Sequence, residues 1–188
     1  MRLLLRKFQP DIDVKKPFDC GIADLNGFLL ESSSFKPNAT FHDSELLAVT
    51  YILEDIETKS ILAYFSLLHD KIDREIIDSN IWNRFSRVIP NPKRRSSYPS
   101  LKIGRLAVDI SMRHAGLGTK IIHYIENLYL IDRKAGCRFI TVDALSSATP
   151  FYQKCKFKTL VPASGPEDTT LMYLDLKDLS PRHTQILE

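Results

Sequence analysis

Long apolar runs are missing from this sequence. The triplet Leu3-Leu4-Leu5 is cut off by Arg6-Lys7 and Pro10, too short for a signal-peptide core and far too short to cross a bilayer, so no membrane association is expected. Cysteine is scarce: Cys20, Cys137 and Cys155 are odd in number, widely spread and without the close Cys/His spacing of a zinc site. Reduced thiols in a cytoplasmic protein, with no metal, are the expectation. Internal repeats and low-complexity tracts are absent too. So is a strong charge of one sign: 26 Lys and Arg against 23 Asp and Glu leave a formal +3. That helps attract a polyanion such as a nucleotide cofactor or RNA, but it is far from the charge of a dedicated nucleic-acid binder.

What is present is a chain of 188 residues, 44% hydrophobic and 26% charged, suited to one domain spanning residues 1–188 with a real core. A short strand over Arg2 to Phe8 precedes a turn at Phe18-Asp19-Cys20-Gly21. Leu25, Phe28 and Leu29 then recur at helical spacing behind Asp24. The runs Glu45 to Leu53 and Ser60 to Leu68, split by the polar stretch Glu54 to Lys59, predict an antiparallel hairpin. Residues 70 to 88 predict a helix. Pro90, Pro92 and Pro99 enclose Lys93-Arg94-Arg95-Ser96-Ser97, which predicts an exposed loop, because proline removes donors and restricts its neighbour.

Beyond that loop the pattern predicts a strand at Lys102 to Asp109, a helix from Gly116 to Ala135 closed by Gly136, and a strand at Arg138 to Leu145. The helix would bury Ile121, Ile125 and Leu128, and Arg133 and Lys134 would suit its negative end. A further helix is expected behind Ser146 or Ser147 as N-cap, with Pro150 in its first turn. Phe157 to Val161 and Thr170 to Leu176 read as a closing antiparallel pair.

A strand running into Arg113-His114-Ala115-Gly116-Leu117-Gly118 and then a long helix suits a pyrophosphate. The first amides of a helix point outward unsatisfied, the dipole favours anions, and Gly116 and Gly118 permit close approach while Arg113 adds charge. The three-glycine dinucleotide fingerprint and the P-loop do not match these residues. Two glycines that merely cap an ordinary helix account for the spacing equally well.

Company on both sides separates the two readings. Gly104-Arg105-Leu106-Ala107-Val108-Asp109, then Arg113 to Gly118, then Val142-Asp143-Ala144-Leu145, then Ala148-Thr149-Pro150-Phe151-Tyr152-Gln153-Lys154 resemble the GCN5-related N-acetyltransferase (GNAT) family in order and spacing, closely over about residues 102 to 161. Upstream, Phe18-Asp19-Cys20-Gly21 with Leu25-Asn26-Gly27-Phe28-Leu29 resembles one branch of it, the acetyltransferase toxins of toxin–antitoxin pairs that modify aminoacyl-tRNA.

The resemblance implies an α/β fold: a GNAT-like mixed, mostly antiparallel central sheet flanked by helices, with a strand-helix-strand acetyl-CoA-binding unit. It implies that the backbone of Leu106, Ala107 and Val108 bonds the pantetheine arm, and that Arg113, His114, Ala115, Gly116, Leu117, Gly118 and Thr119 take the pyrophosphate of acetyl-CoA. It also puts Tyr152 near the coenzyme sulfur, where its hydroxyl would protonate the departing thiolate. An aromatic pair on a helix is otherwise an ordinary core feature, and core packing of Leu106 and Val108 is expected as well. The oxyanion donor would be a backbone N–H near Val108. His42, His69, His114 and His123 are scattered, and no general base is assigned among them. The sequence departs from the family at Lys156, where a glycine normally follows the helix; Lys must bear a left-handed cap or the turn must differ.

The acceptor stays open at this level. The run Lys93-Arg94-Arg95, with Arg84, Arg87 and Lys102, taken alone reads first as a solvated loop, and it also suits the phosphates of a tRNA acceptor stem. The resemblance adds the α-amine of aminoacyl-tRNA as substrate and a small antitoxin protein as partner. The alternatives are an acetyltransferase for a small-molecule or protein amine, and a non-catalytic acyl-CoA-binding module. The strands near the C-terminus suit pairing in a homodimer as well as an internal position.

Overall fold

The computed structural model describes residues 2–31, 37–90, 95–131, 135–165 and 168–179. In chain order these form β1 (Leu3–Lys7), α1 (Pro10–Asp13), α2 (Ala23–Leu30), α3 (Ala39–Ser44), β2 (Val49–Asp55), β3 (Ile61–Asp73), α4 (Ser79–Arg87), β4 (Ser97–Val108), α5 (Leu117–Leu130), β5 (Phe139–Ala144), α6 (Thr149–Lys154), β6 (Lys158–Val161) and β7 (Thr170–Asp175). The strands form one sheet in the order β1-β2-β3-β4-β5-β7-β6. It is the mixed, mostly antiparallel sheet with helices that the sequence predicts. Two compact units divide the chain: Met1–Leu68 with Ile103–Tyr124, and His69–Lys102 with Ile125–Glu188.

In the first unit β1 pairs antiparallel with β2 (Leu5 opposite Leu53) and β2 with β3 (Tyr51 opposite Phe65). Ile61 to Leu67 are buried on both faces, as expected of a central strand with a near-continuous apolar run. Phe18, Phe28, Tyr64, Ile52 and Ala107 meet in its core. Tyr64 stacks on Phe28 and donates its hydroxyl to the Leu25 carbonyl at 2.6 Å, which locks α2 onto β3. Under the first strands Arg6 bridges two buried carboxylates, Asp13 at 2.6 Å and Glu54 at 2.7 Å, and Lys16 adds a second cation to Glu54 at 2.8 Å.

The second unit is built on aromatics. Trp82 and Phe85 from α4 pack with Tyr98 of β4, Phe139 of β5 and Tyr173 of β7, the Phe85 and Phe139 rings 4.9 Å apart. Strand β7 lies antiparallel between β5 and β6. Arg138 grips Asp175 with two bonds of 2.8 and 2.6 Å, the bidentate geometry of a guanidinium on a carboxylate.

Several boundaries differ from the sequence reading. Strand β3 continues to Asp73 instead of ending at Leu68, and α4 starts only at Ser79, capped by Asp78. His69 and Lys71 are exposed while Ile72 is buried, so the half-wetted end of a strand resembles a helix start. Pro99 lies inside β4, exposed between buried Tyr98 and Ser100, and does not bound a loop. The N-cap position of α6 is Ala148 and neither serine. The Leu145 carbonyl closes that turn through the amides of Ala148 and Thr149, and Pro150 removes a donor that a serine would have served. The helices α1 and α3 were not foreseen at all. Helix α5 buries Ile121, Ile122 and Ile125 but runs only to Leu130, and Arg133 and Lys134 lie outside the described residues.

Candidate active site

Strand β4 leads to the candidate coenzyme-binding stretch in the first unit. Ala107 points into the core beside Tyr64, whereas Leu106 and Val108 are half-buried, so only the middle residue of the three is true core. This corrects the expectation of core packing for the outer two: alternation along the strand sends them to the opposite face. Gly104 allows a close approach here, since a Cβ on it would meet Leu68 Cδ2 at 2.8 Å. Asp109 closes the strand by donating its amide to the Leu62 carbonyl at 2.9 Å.

After a 3₁₀ turn at Ile110–Met112, the loop passes through two left-handed residues, His114 (φ 65°) and Gly116 (φ 76°), and enters α5. Lys120 donates to the Gly116 carbonyl, so the amides of Leu117, Gly118 and Thr119 have no acceptor within the helix. Gly116 has no side chain to cap them, and an added Cβ there would touch nothing within 4 Å. Arg113, His114, Ala115, Gly116 and Thr119 are exposed, and Leu117 alone turns inward. Free amides at the positive end of a helix, with open space over a glycine, fit a pyrophosphate.

The loop is fastened to the Phe18–Gly21 turn. The Asp19 amide donates to Asp109 Oδ2 (3.1 Å), the Ile110 amide to the Asp19 carbonyl (2.8 Å), and Arg113 Nη2 to the Cys20 carbonyl (2.7 Å). Asp19 Oδ1 accepts from the Gly21 amide and from Asn26, which hold its carboxyl below the usual range. For Asp109 burial pushes the other way, but the Ser111 hydroxyl and the amides of Asp19 and Ser111 prevail and lower it. These supporting roles of Asp19, Asn26 and Asp109 were missed by the sequence reading. The available signal was two Asx-type turns, Asp19-Cys20-Gly21 and Asp109-Ile110-Ser111.

Tyr152 lies in the second unit, on α6. Its ring is 5% exposed, between Phe151 and Phe157 at 5.0 and 5.3 Å. Burial pushes its ionisation far up, so the hydroxyl keeps its proton at any ordinary pH, and that hydroxyl has no hydrogen-bond partner among the described residues. The turn after α6 is resolved in favour of the left-handed cap: Lys156 takes φ 72°. Phe157 donates its amide to the Tyr152 carbonyl and Lys156 to that of Gln153, the two bonds of a Schellman motif, with Phe157 packed on Tyr152 as its apolar contact. Lysine therefore takes the left-handed cap position itself, and the turn is not rebuilt around it.

The remaining candidates are dispersed. His42 Nδ1 lies 2.9 Å from the Asn38 carbonyl, and His69, His114 and His123 are exposed. Lys102 is paired with Asp143 at 2.6 Å and Asp70 at 3.6 Å, Arg84, Arg87 and Arg95 are exposed, and Lys93 and Arg94 lie outside the described residues. Among the described residues no three His, Cys, Asp or Glu gather as a metal site, and no helix is long and apolar enough to cross a membrane.

Residues 73–159 match the family model described as acetyltransferase (GNAT) domain. Over those residues the chain is similar to the GNAT acetyltransferases, a class of acetyl-CoA-dependent enzymes. The fold extends the likeness over nearly the whole chain. A tyrosine-to-phenylalanine mutant of KacT is similar at a TM-score of 0.75 and 23% identity, covering 97% of this chain and 99% of that one. AtaT complexed with acetyl-methionyl-tRNAfMet gives 0.74 and 24%, with coverage of 97% and 99%. A tyrosine-to-phenylalanine mutant of the AtaT toxin, bound to the C-terminus of the antitoxin AtaR and to acetyl-CoA, gives 0.70 and 23%, again covering 97% and 99%.

Proposed function

We propose that the whole chain works as one cytoplasmic acetyltransferase domain, with residues 102–161 as its core, and acetylates the α-amine of aminoacyl-tRNA in the manner of a toxin restrained by a small antitoxin. The observation that supports this acceptor is the likeness, over 97% of the chain, to AtaT complexed with an acetylated aminoacyl-tRNA. Exposed Arg84, Arg87 and Arg95 add cations of the kind that meet nucleic-acid phosphates.

When bound, acetyl-CoA supplies a thioester whose acetyl group is open to attack by an unprotonated amine. The backbone of Leu106, Ala107 and Val108 on β4 bonds the extended arm of the coenzyme, as an added strand does. The open amides of Leu117, Gly118 and Thr119 hold the pyrophosphate at the positive end of α5, with the loop from Arg113 through His114, Ala115 and Gly116 leading into them. Tyr152 acts as general acid: dry packing keeps its proton on the oxygen, ready for the departing thiolate. The acceptor amine loses its proton to water, and no histidine is assigned as base.

The test is release of the coenzyme thiol from acetyl-CoA with charged tRNA as acceptor, run beside uncharged tRNA, polyamines and peptides. Turnover that depends on the aminoacyl group is the expected result. Equal or faster turnover with polyamines or peptides would assign the enzyme to small or protein amines instead.

A further inference from the structure

The guanidinium at the head of the loop would serve a phosphate well, yet its Nη2 donates to the Cys20 carbonyl, 93 positions away in sequence. Gly21 makes room for it: a Cβ on that residue would stand 2.7 Å from Arg113 Nη2, and Gly21 itself takes φ 75°. Two more bonds join the same turn to the loop, Asp19 amide to Asp109 and Ile110 amide to Asp19. Directly after them come the left-handed residues His114 and Gly116. A non-glycine residue held in that region is costly and persists only where its surroundings over-determine it. The three ties immediately upstream provide that determination. The carboxylate of Asp19, in turn, offsets the charge of Arg113.

We infer that Arg113 and the Asp19–Gly21 turn form a clamp that fixes the phosphate loop, so that Arg113 is a positioning residue for the acetyl-CoA site and not a phosphate ligand; this rests on the acetyl-CoA reading of the loop. The open amides of Leu117, Gly118 and Thr119 then do the holding, and the clamp keeps them aimed in one direction. Loosening it raises the cost of ordering the loop on binding, without removing any group that touches the ligand.

The experiment titrates coenzyme A into the full chain and into Arg113→Ala, Gly21→Ala, Asp109→Asn and the Arg113→Ala/Gly21→Ala pair, each at several salt concentrations, with melting temperature as control. Each single variant should bind roughly tenfold more weakly. The pair should be no weaker than either single change, as for two residues of one interaction. The salt dependence of affinity should stay that of the parent, because no ion pair to the ligand is lost. In acetyl transfer, KM for acetyl-CoA should rise by the same factor while kcat moves by less than about twofold.

Parent-like affinity in both Gly21→Ala and Asp109→Asn would overturn the clamp, as would a salt dependence that flattens in Arg113→Ala alone, the mark of a direct phosphate contact. Asp109→Asn keeps the question open to refutation if Gly21→Ala fails to fold. A parent protein that does not bind coenzyme A at all would remove the acetyl-CoA reading and the clamp together, whereas a binding parent with unaffected variants removes the clamp alone.

Discussion

The loop entering α5 and the tyrosine of α6 are held in place by opposite means, in separate units of the chain. Around the loop the residues are exposed, and their positions come from hydrogen bonds: Asp109 and Arg113 to the Phe18–Gly21 turn, and Asp19 to Gly21 and Asn26. Around Tyr152 the described residues supply no such set of side-chain hydrogen bonds; Phe151, Phe157 and the backbone of a Schellman turn fix the ring. The contrast suits the two tasks proposed for them. Amides that must bind an anion have to face outward, so packing cannot hold them and polar ties must. A tyrosine hydroxyl is protonated at neutral pH in any case; apolar contacts extend that range into alkali and fix the position.

The largest expected effect separates the tasks at Tyr152. Tyr152→Phe keeps the ring and its packing and removes only the proton, so transfer should fall by about a hundred- to ten-thousand-fold, the usual span for a lost general acid. Coenzyme A affinity and melting temperature should hardly change. Because the folded hydroxyl ionises only far into alkali, it remains a donor throughout the working range, and any alkaline fall in the parent's rate near neutrality must come from another group. Steady-state rates with equilibrium binding on the same preparations decide this; full activity in the variant would take Tyr152 out of the mechanism.

A middle-sized effect tests the polar side of the comparison in the first unit. Arg6 bonds two buried carboxylates, and Arg6→Ala leaves both with Lys16 as their remaining cation, at a cost of about 3 kcal/mol at neutral pH. For Asp13 burial acts upward, but Arg6, the Gln9 amide and Lys16 outweigh it; for Glu54 the Arg6 hydrogen bond leads. Both carboxyls therefore titrate below their ordinary range in the folded chain. The unfolded chain binds more protons, so this stability is present above about pH 5 and is lost as pH falls through about 4 and lower. Urea midpoints at pH 7 and pH 4 should show a clear acid loss in the parent and a smaller one in Arg6→Ala. An equal loss in both would mean that the acid sensitivity lies elsewhere.

How much of this could be read from the residues follows the same division. Periodicity and glycine placement gave the hairpin of β2 and β3, the entry into α5 and the closing pair of β6 and β7, because those patterns are local. The ties of Arg113 to Cys20 and of Asp109 to Asp19 join positions some ninety residues apart, and no spacing rule announces them. The polar end of β3 reads as helix because His69 and Lys71 are exposed with half-buried Asp70 between them, so the half-wetted strand looks like a change of element. Helices α1 and α3, of four and six residues, are too short to show a period. Lys156 was legible as a conflict but not in its outcome, since sequence cannot say whether a lysine accepts a left-handed backbone or the turn is rebuilt.

That outcome leads to the smallest expected effect. At φ 72° Lys156 brings its Cβ close to the following carbonyl, a cost of roughly 1 to 2 kcal/mol that glycine avoids. Glycine gives back roughly 0.5 to 1 kcal/mol through the extra freedom of the unfolded chain. Lys156→Gly should therefore stabilise the protein by about 0.5 to 1 kcal/mol, read as a rise of roughly 1 to 4 °C in Tm. The side chain is exposed and has no partner among the described residues, so no packing or ion pair offsets the gain. Transfer rates should not move, because Phe157 donates to the Tyr152 carbonyl through its own amide and packs on the tyrosine with its own ring. A lower Tm would show that the lysine stabilises the turn in some other way. A changed rate at unchanged Tm would mean that the turn helps aim Tyr152, and the apolar half of the comparison would then need a backbone component beside its packing.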